Sequence, residues 1–370
     1  MKKKIKLSDL SPYNRQIQQS SEERYLFSNA EKLVQTVDEK YHYIIHCKVL
    51  KLYLKLGLKL KKVHRVLKFK QSAFMKPFIE SNIERRRQAK SSFEGNIFKL
   101  INNSIFGKTM ENTLKRRKVK VATSSQDLMK LANKRNLQRI DLLSPDIAAV
   151  ELKQEKVQLN KPIFIGFTVL EFSKLVLYQF LYLFLKKYFG RWYFIETLYT
   201  DTDSFMLKFQ AKNRLSPPLQ DLLKKNANRF DFLNFPKDHA LYNTKNEKKM
   251  GYFKMEYAEK EMVEFVGLKA KQYSILCSCD SIHRAKGVPS NASKRLLHKD
   301  YMHTLNSGKS KSTQFDAIRS FKHKLYTVST EKTALSAFDD KRFMLNCGIK
   351  SLPYGHYKIA QRNNGVKQNC

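Results

Sequence analysis

The chain has 370 residues, with 71 Lys plus Arg against 33 Asp plus Glu, and so a formal charge of +38. Its 42% hydrophobic content, 25 Phe and 18 Tyr provide ample core material, which excludes disorder of the highly charged, weakly apolar kind over most of the length. So much charge of one sign on folded surfaces calls for a polyanion, with nucleic acid first, an anionic membrane surface second and acidic proteins third.

Size suggests two or three structural units. The opening MKKKIKLSDLSPYNRQ is basic but lacks an apolar stretch, so it is not a secretory signal. Residues 1–40 are polar, with helical patterning around Ser28 to Val37. His46 to Leu56 suits a helix closed by Gly57, after which Leu58 to Phe69 reads as a lysine-rich extended segment. Eight Lys or Arg and no acid lie within Lys51 to Lys70, the composition of a solvated face or of a groove wall that contacts phosphates. Residues 78–112 divide into two helices, one holding SNIERRRQAK and the other NIFKLINNSIFGKTMEN, with Gly95 as the breaker between them. Residues 113–160 alternate short β-type runs, such as Lys118 to Ala122, with polar stretches, the pattern of an inserted subdomain containing a hairpin.

Ile163 to Leu185 is strongly apolar, but its longest uncharged run, Leu175 to Leu185, falls far short of the ~20 residues that cross a bilayer. Glu171 and Lys174 stand at i, i+3, close enough to pair on one helix face, and the expectation is a buried helix facing protein all round rather than a membrane span. Trp192 to Tyr199 and Phe205 to Phe209 are aromatic and β-branched, and with Asp201-Thr202-Asp203-Ser204 between them they form a hairpin signature. Residues 251–276 are again strand-rich. The remainder mixes lysine-rich, helix-like segments with polar linkers such as Asn306 to Thr313. The five cysteines are odd in number and without paired CxxC half-sites, so neither a disulfide framework nor a zinc ribbon is expected, and a reducing intracellular compartment fits.

Two constellations carry chemistry. At the hairpin tip Asp201 and Asp203 bring two carboxylates together, a costly arrangement unless a divalent cation lies between them; taken alone, Asp-Thr-Asp-Ser is also ordinary turn chemistry. On the second helix of residues 78–112, Lys99, Asn103 and Phe106 with Gly107 fall on one face. A cation, an amide and a ring beside a glycine suit a nucleoside triphosphate; the competing reading is a solvated polar stripe.

Taken together, these residues resemble the family B DNA polymerases. Lys99 to Gly107 matches the fingers pattern KxxxNSxYG with Phe106 in the Tyr place, Tyr199 to Ser204 matches the palm signature YxDTDS, and Lys271-Gln272-Tyr273 looks like the KxY motif that holds the primer terminus. The three occur in the family's order. The wording of longer stretches, among them KPIFIGFTVLEFSKLVLYQF and FDDKRFMLNCGIKSLPYGHYKI, is similar to the protein-primed branch found in self-synthesising DNA transposons and their viral relatives. The resemblance implies an α+β right-hand arrangement of palm, fingers and thumb, with an antiparallel palm sheet carrying the Asp-Thr-Asp hairpin. Its parts would be the remainder of the palm and a basic linker (1–70), fingers helices (71–112), an inserted subdomain (113–160), palm with the primer contact (161–276) and a thumb-like region (277–370).

The same resemblance implies the roles. Asp203 is the principal ligand of Mg²⁺ and Asp201 its partner, both catalytic; Lys99, Asn103, Phe106 and Gly107 bind the incoming deoxynucleotide; Lys271 and Tyr273 grip the primer strand of a DNA primer–template. Arg86 or Arg87, on the preceding helix, would join Lys99 at the phosphates. A terminal protein is a further partner in this branch, no membrane is involved, and a transposon product would act in the nucleus. One departure stands out. The family's first palm carboxylate, from a DxxSLYP-type or DxNxLYG-type motif, has no counterpart; Asp9 lies in LSDLSPYNRQ without the aromatic pattern that follows that motif. No DxE-type exonuclease motif is found either, so the chain looks like the C-terminal part of a polymerase, starting inside the palm and holding half the ligands of a two-metal site. A catalytically dead DNA-binding remnant of a mobile element, or an unrelated basic nucleic-acid-binding protein, are the competing expectations.

Overall fold

The computed structural model describes residues 2–20, 30–247, 249–321 and 324–359. The chain begins with β1 (Lys2–Lys4), α1 (Pro12–Ser20), β2 (Glu31–Leu33), α2 (Cys47–Lys55), α3 (Lys76–Gln88) and α4 (Ser92–Thr109). There follow β3 (Lys118–Ala122), α5 (Ser125–Ala132), β4 (Leu137–Ser144), β5 (Ile147–Leu152) and α6 (Ile163–Tyr178). A π-helical segment, Gln179–Leu185, leads into α7 (Lys186–Tyr188), then β6 (Tyr193–Asp201), β7 (Ser204–Ala211), α8 (Leu219–Lys225), β8 (Phe230–Asp231) and β9 (Phe253–Lys254). The last part holds β10 (Met262–Lys269), β11 (Gln272–Cys277), β12 (Ser281–Ala285), α9 (Ser290–Ser293), α10 (His298–Ser307), β13 (Lys311–Phe321), β14 (Lys324–Leu335), β15 (Phe343–Met344) and β16 (Ser351–Leu352). The architecture is mixed α+β with several small sheets, all antiparallel except the β8–β9 pair. Two compact units form, one comprising residues 44–179 with 320–325 and the other comprising 1–43, 180–319 and 326–370.

In the unit of residues 44–179, α2 begins at His46, whose N–H donates to Glu171 Oε2 at 3.0 Å and whose Nδ1 accepts the Lys48 N–H at 3.2 Å. Gly57 follows the helix at φ +99°, as the sequence pattern expects. α3 and α4 pair through Asn82 Nδ2 donating to Asn102 Oδ1 at 2.9 Å. The break between them falls at residues 89–91, where Ser91 caps α4 by accepting the Glu94 N–H at 3.1 Å, so Gly95 is not the breaker. Gly95 instead lies inside α4, where an added Cβ would be 3.8 Å from Ala89 Cβ and 3.9 Å from Arg86 Cγ. Just past α4, Glu111 gathers Lys108 at 2.9 Å, Arg116 at 2.7 Å and Lys161 at 3.3 Å, and hydrogen bonds from Arg116 first, then Lys108, hold its carboxyl far below the usual range. Residues 113–160 form the sheet β3-β5-β4 with α5 on one face, over a core of Ala122, Leu131, Ala148, Val150 and Leu152.

The expectation of a buried apolar helix is only half met. α6 forms, and Lys174 Nζ lies 2.6 Å from Glu171 Oε1 as the i, i+3 spacing suggests. Yet only 17% of the most apolar window of the helical run Ile163–Arg191 is buried, and Ile163, Phe164, Val169 and Val176 are exposed. The reason is geometric: α2 meets α6 at Glu171 and α4 meets it at Gly166, and these two contacts leave much of the remaining helix surface without cover. By length and mean hydropathy (1.4) this run is long and apolar enough to cross a membrane.

In the other unit, β10-β11-β12 forms an antiparallel sheet with α10 against it, and Ile5, Leu10, Ile17, Val266, Leu268, Leu296, Tyr301 and Leu335 belong to its core cluster. A second cluster, rich in Phe, gathers Leu181, Phe184, Phe189 and Tyr193 with Phe230 and Phe232 beneath the β6–β7 hairpin; Phe180 stacks on Phe253 at 3.6 Å. Ser28 to Val37 does not continue as a helix over its described part, because Glu31–Leu33 pairs with Lys2–Lys4, a contact that local patterning does not contain. The linker expected at Asn306 to Thr313 is shorter, since α10 closes at Gly308 (φ +71°) and Lys311 already opens a long hairpin strand. Cys47, Cys277 and Cys279 are free thiols, whereas Cys347 is disulfide-bonded, contrary to the expectation from the odd count.

A polar chain runs from β12 through the buried Ser274 of β11 to His298, the first residue of α10, and ends at the exposed Glu264 of β10. Ser281 Oγ meets His283 Nε2 at 2.9 Å, His283 Nδ1 meets Ser274 Oγ at 2.9 Å, Ser274 Oγ meets His298 Nδ1 at 2.8 Å, and His298 Nε2 meets Glu264 Oε2 at 3.0 Å. Glu264 as a carboxylate only accepts, so His298 Nε2 carries a proton. With both rings neutral the donors then run in one direction: Ser281 O–H to His283, His283 N–H to Ser274, Ser274 O–H to His298. One added proton, on either ring, is accommodated by reorienting hydroxyls and tautomers. Two are not, because both Nδ1–H groups would then point at Ser274 Oγ and leave its own O–H without an acceptor. Tyr301 stacks on His283 at 5.7 Å, Arg284 follows it on β12, and Asp300, paired with Lys311 at 2.6 Å, is the other charge facing it. Burial, then the charge of His298, pushes the His283 pKa down.

Candidate active site

The β6–β7 hairpin keeps Tyr193↔Ala211 to Asp201↔Ser204 in register, with one irregularity between Thr197 and Tyr199, and turns through Thr202 and Asp203. Thr202 has φ +55°, a left-handed conformation uncommon for a β-branched residue, and the tip is tied by Asp203 N–H to Asp201 O at 2.6 Å and Ser204 O–H to Asp201 O at 3.1 Å. The second element is the β10–β11 turn, where Lys269↔Gln272 closes a loop of Ala270 and Lys271. Lys271 sits at φ +61°. A non-glycine residue there costs about 1 kcal/mol or more and is the kind of strain that collects at functional positions. Gln272 anchors the turn from below: its side chain is buried, donating to Ala334 O at 2.6 Å and accepting from Ser336 N at 3.1 Å.

These two turns, some seventy positions apart in sequence, meet. Lys271 Nζ lies 3.1 Å from Asp201 Oδ2, the Lys271 N–H donates to Tyr199 Oη at 3.0 Å, and the rings of Tyr199 and Tyr273 are 4.9 Å apart. The bond from Asp201 raises the Lys271 pKa, and burial raises that of Tyr273. Phe265 backs Tyr273 at 5.9 Å, in space left by Gly267, whose added Cβ would stand 3.0 Å from the Phe265 ring. The two carboxylates therefore differ. Asp201 is half-buried and engaged by a cation, while Asp203 is exposed and has no ion pair among the described residues. Beside Asp201, Asp203, Lys271 and Tyr273 stand Tyr199 and Gln272, each inside a matched stretch of sequence but given a role only by its contacts.

The second candidate surface lies in the other unit. Lys99, Asn103 and Gly107 are exposed along α4 and Phe106 is half-buried. An added Cβ at Gly107 would meet nothing within 4 Å, so packing within the chain does not demand glycine there. The neighbouring Asn102, not Asn103, makes the contact to α3, which leaves the Asn103 amide outward. Arg86 and Arg87 separate clearly. Arg87 is drawn to Glu84 at 3.3 Å, whereas Arg86 lies against Gly95, one turn before Lys99, with no carboxylate partner among the described residues.

As a seat for Mg²⁺ the hairpin tip fits in part. Such an ion takes one or two carboxylates and completes its shell with water and substrate phosphates, and Asp203, with Asp201 beside it, could supply that share. A two-metal site needs a further carboxylate, and no group of three or more His, Cys, Asp or Glu that could hold a metal occurs among the described residues. Asp9 is occupied elsewhere, accepting the Lys6 N–H at 2.9 Å. Comparison with known proteins finds no matching family, no matching curated protein and no matching solved structure.

Proposed function

We propose that the chain is the nucleotide-adding part of a DNA-directed DNA polymerase of the family B type, in a right-hand arrangement, and that by itself it binds primer–template DNA but adds few or no nucleotides. The observation that carries this reading is the meeting of the Asp-Thr-Asp hairpin with the Lys271-x-Tyr273 turn, through the 3.1 Å Lys271–Asp201 pair and the Tyr199–Tyr273 ring contact. A bound divalent ion at Asp203 would offset charge on the triphosphate and favour the ionised primer 3′-hydroxyl. The chain's own groups do the rest. Lys271, positioned by Tyr199 and Gln272, offers a cation at the tip, and Tyr273 gives a rigid face with a polar edge for the terminal nucleotide of the primer. Lys99 and Arg86 offer two cations to the phosphates of a deoxynucleotide, with Asn103, Phe106 and Gly107 forming the surface against which its sugar rests.

That Asp203 is the one carboxylate of the hairpin tip outside an ion pair among the described residues favours DNA binding without turnover over a complete catalyst. A primer-extension assay with Mg²⁺ or Mn²⁺ tests this. Incorporation that disappears in Asp203→Ala would overturn the expected inactivity, and failure to bind primer–template more tightly than blunt duplex of equal length would overturn the polymerase reading.

A further inference from the structure

An open pocket of about 250 Å³ lies beside the hairpin tip's partner turn, in the same unit. One wall is the β10–β11 turn at Lys269 and Ala270, a second is Lys286 just past β12, and the third is Asp339-Asp340-Lys341. Lys32 completes it by pairing with Asp340. Asp339 accepts the Lys341 backbone N–H at 3.1 Å, and burial pushes its carboxyl pKa upward. Four lysines stand against two aspartates; Lys286 forms no ion pair among the described residues, while the charge of Lys341 acts on Asp339. Lys332 adds to the field by donating to Gly287 O at 3.2 Å, next to Lys286.

The pocket's place is as telling as its charge. It is built on Lys269, Ala270 and Gln272, the residues that flank Lys271, whose ammonium reaches Asp201. Lys269 and Lys271 are two residues apart, a backbone span of at most about 7 Å, while a nucleic-acid strand carries one phosphate per ~3.4 Å of its axis. A strand ending at the hairpin tip thus presents a phosphate to the pocket within its last few nucleotides. The pocket is open, and its one lining ring, Phe338, is buried, so it suits a phosphodiester in transit rather than an enclosed free nucleotide.

We propose that Lys269, Lys286 and Lys341 seat a backbone phosphate of the DNA strand whose 3′ end lies at Asp203 and Tyr273. This rests on the polymerase reading given above and adds a second fixed point on the primer strand.

The test uses the full chain and a primer–template duplex in fluorescence anisotropy, titrated from 50 to 200 mM salt. Lys286→Ala/Lys341→Ala is compared with Lys225→Ala/Lys237→Ala, which removes the same charge from exposed positions outside the pocket. The pocket variant is expected to weaken binding and to make the slope of log K against log salt shallower by about 1, the share of one phosphate contact, with the control unchanged. Neutral methylphosphonates placed singly at the last five primer linkages give the register: one position should weaken binding to the wild type and make no difference in the pocket variant. An unchanged slope, or an equal change in the control, overturns the proposal. A slope loss confined to the pocket variant, with no sensitive position in the wild type, would keep the phosphate contact and refute the polymerase register instead.

Discussion

Ser274 is the buried hinge of the Ser281–His283–Ser274–His298–Glu264 chain, and its removal has a calculable cost. Ser274→Ala deletes two hydrogen bonds, of 2.9 and 2.8 Å, at a fully buried position. His283 can then move its proton to Nε2 and donate to Ser281, which saves that bond, but an Nδ1 lone pair on each ring is left without a donor. Two unsatisfied acceptors at about 1 kcal/mol each give a loss of about 2 kcal/mol at pH 7.5. For a cooperative unit of this size that is a fall in Tm of about 4–8 °C. The pH dependence is the sharper part. The His283 pKa is lowered in the fold, so the wild type holds this share of stability above the ordinary histidine value near 6.5 and loses it as pH falls through the folded value. In the wild type the second proton strands only the Ser274 O–H, whereas in Ser274→Ala each added proton becomes a ring Nδ1–H with no acceptor, a larger penalty. Urea unfolding at pH 7.5 and 5.5, followed by near-UV circular dichroism, should show the gap between wild type and variant widening in acid. A variant within about 0.5 kcal/mol of wild type at pH 7.5, or a gap that does not change with pH, would refute the assigned chain of donors.

Other substitutions probe packing. Gly166→Ala places a Cβ against Met110 and 2.8 Å from Thr109 Oγ1, so the α4–α6 contact should loosen by about 1–3 kcal/mol, read as a lower Tm. Glu171→Ala removes the acceptor of the His46 N–H together with the Lys174 pair and should cost about 2–3 kcal/mol, while Glu171→Gln, which keeps a carbonyl acceptor for His46, should cost clearly less in the same melts. Gly267→Ala forces the Phe265 ring away from 3.0 Å and with it the support of Tyr273; weaker binding of primer–template with a Tm changed by only a few degrees is the expected pair of results.

What local sequence pattern revealed was governed by what local physics controls. The β6–β7 hairpin, the end of α2 at Gly57 and the Glu171–Lys174 pair were legible because each depends on neighbours within a few residues. The pairing of Glu31–Leu33 with Lys2–Lys4, and the exposure of α6, were not, because each depends on which distant element is or is not available to cover a surface. Within the candidate site, residue types marked Asp201 and Asp203 and the family resemblance marked Lys271 and Tyr273, yet only the geometry distinguishes the engaged Asp201 from Asp203, which has no ion pair among the described residues, or Arg86 from the Glu84-bound Arg87. Gln272 was invisible for the same reason, since its two partners, Ala334 and Ser336, lie more than sixty residues away.

The extended segment after α2 carries a consequence of its own. From Leu58 to Phe69 the chain has no regular secondary structure, is exposed throughout, and displays Lys59, Lys61, Lys62, Arg65 and Lys68 among outward-facing Leu58, Val66 and Leu67. These are the features a trypsin-like protease needs: an accessible strand, a basic side chain at the cut and little secondary structure to dismantle first. Limited digestion should therefore cut here before it reaches the lysines of β10 or β14, whose backbone is held in hairpins. If this stretch lies along duplex DNA, the same cuts should slow when DNA is added, which makes the rate of cleavage a direct gauge of occupancy.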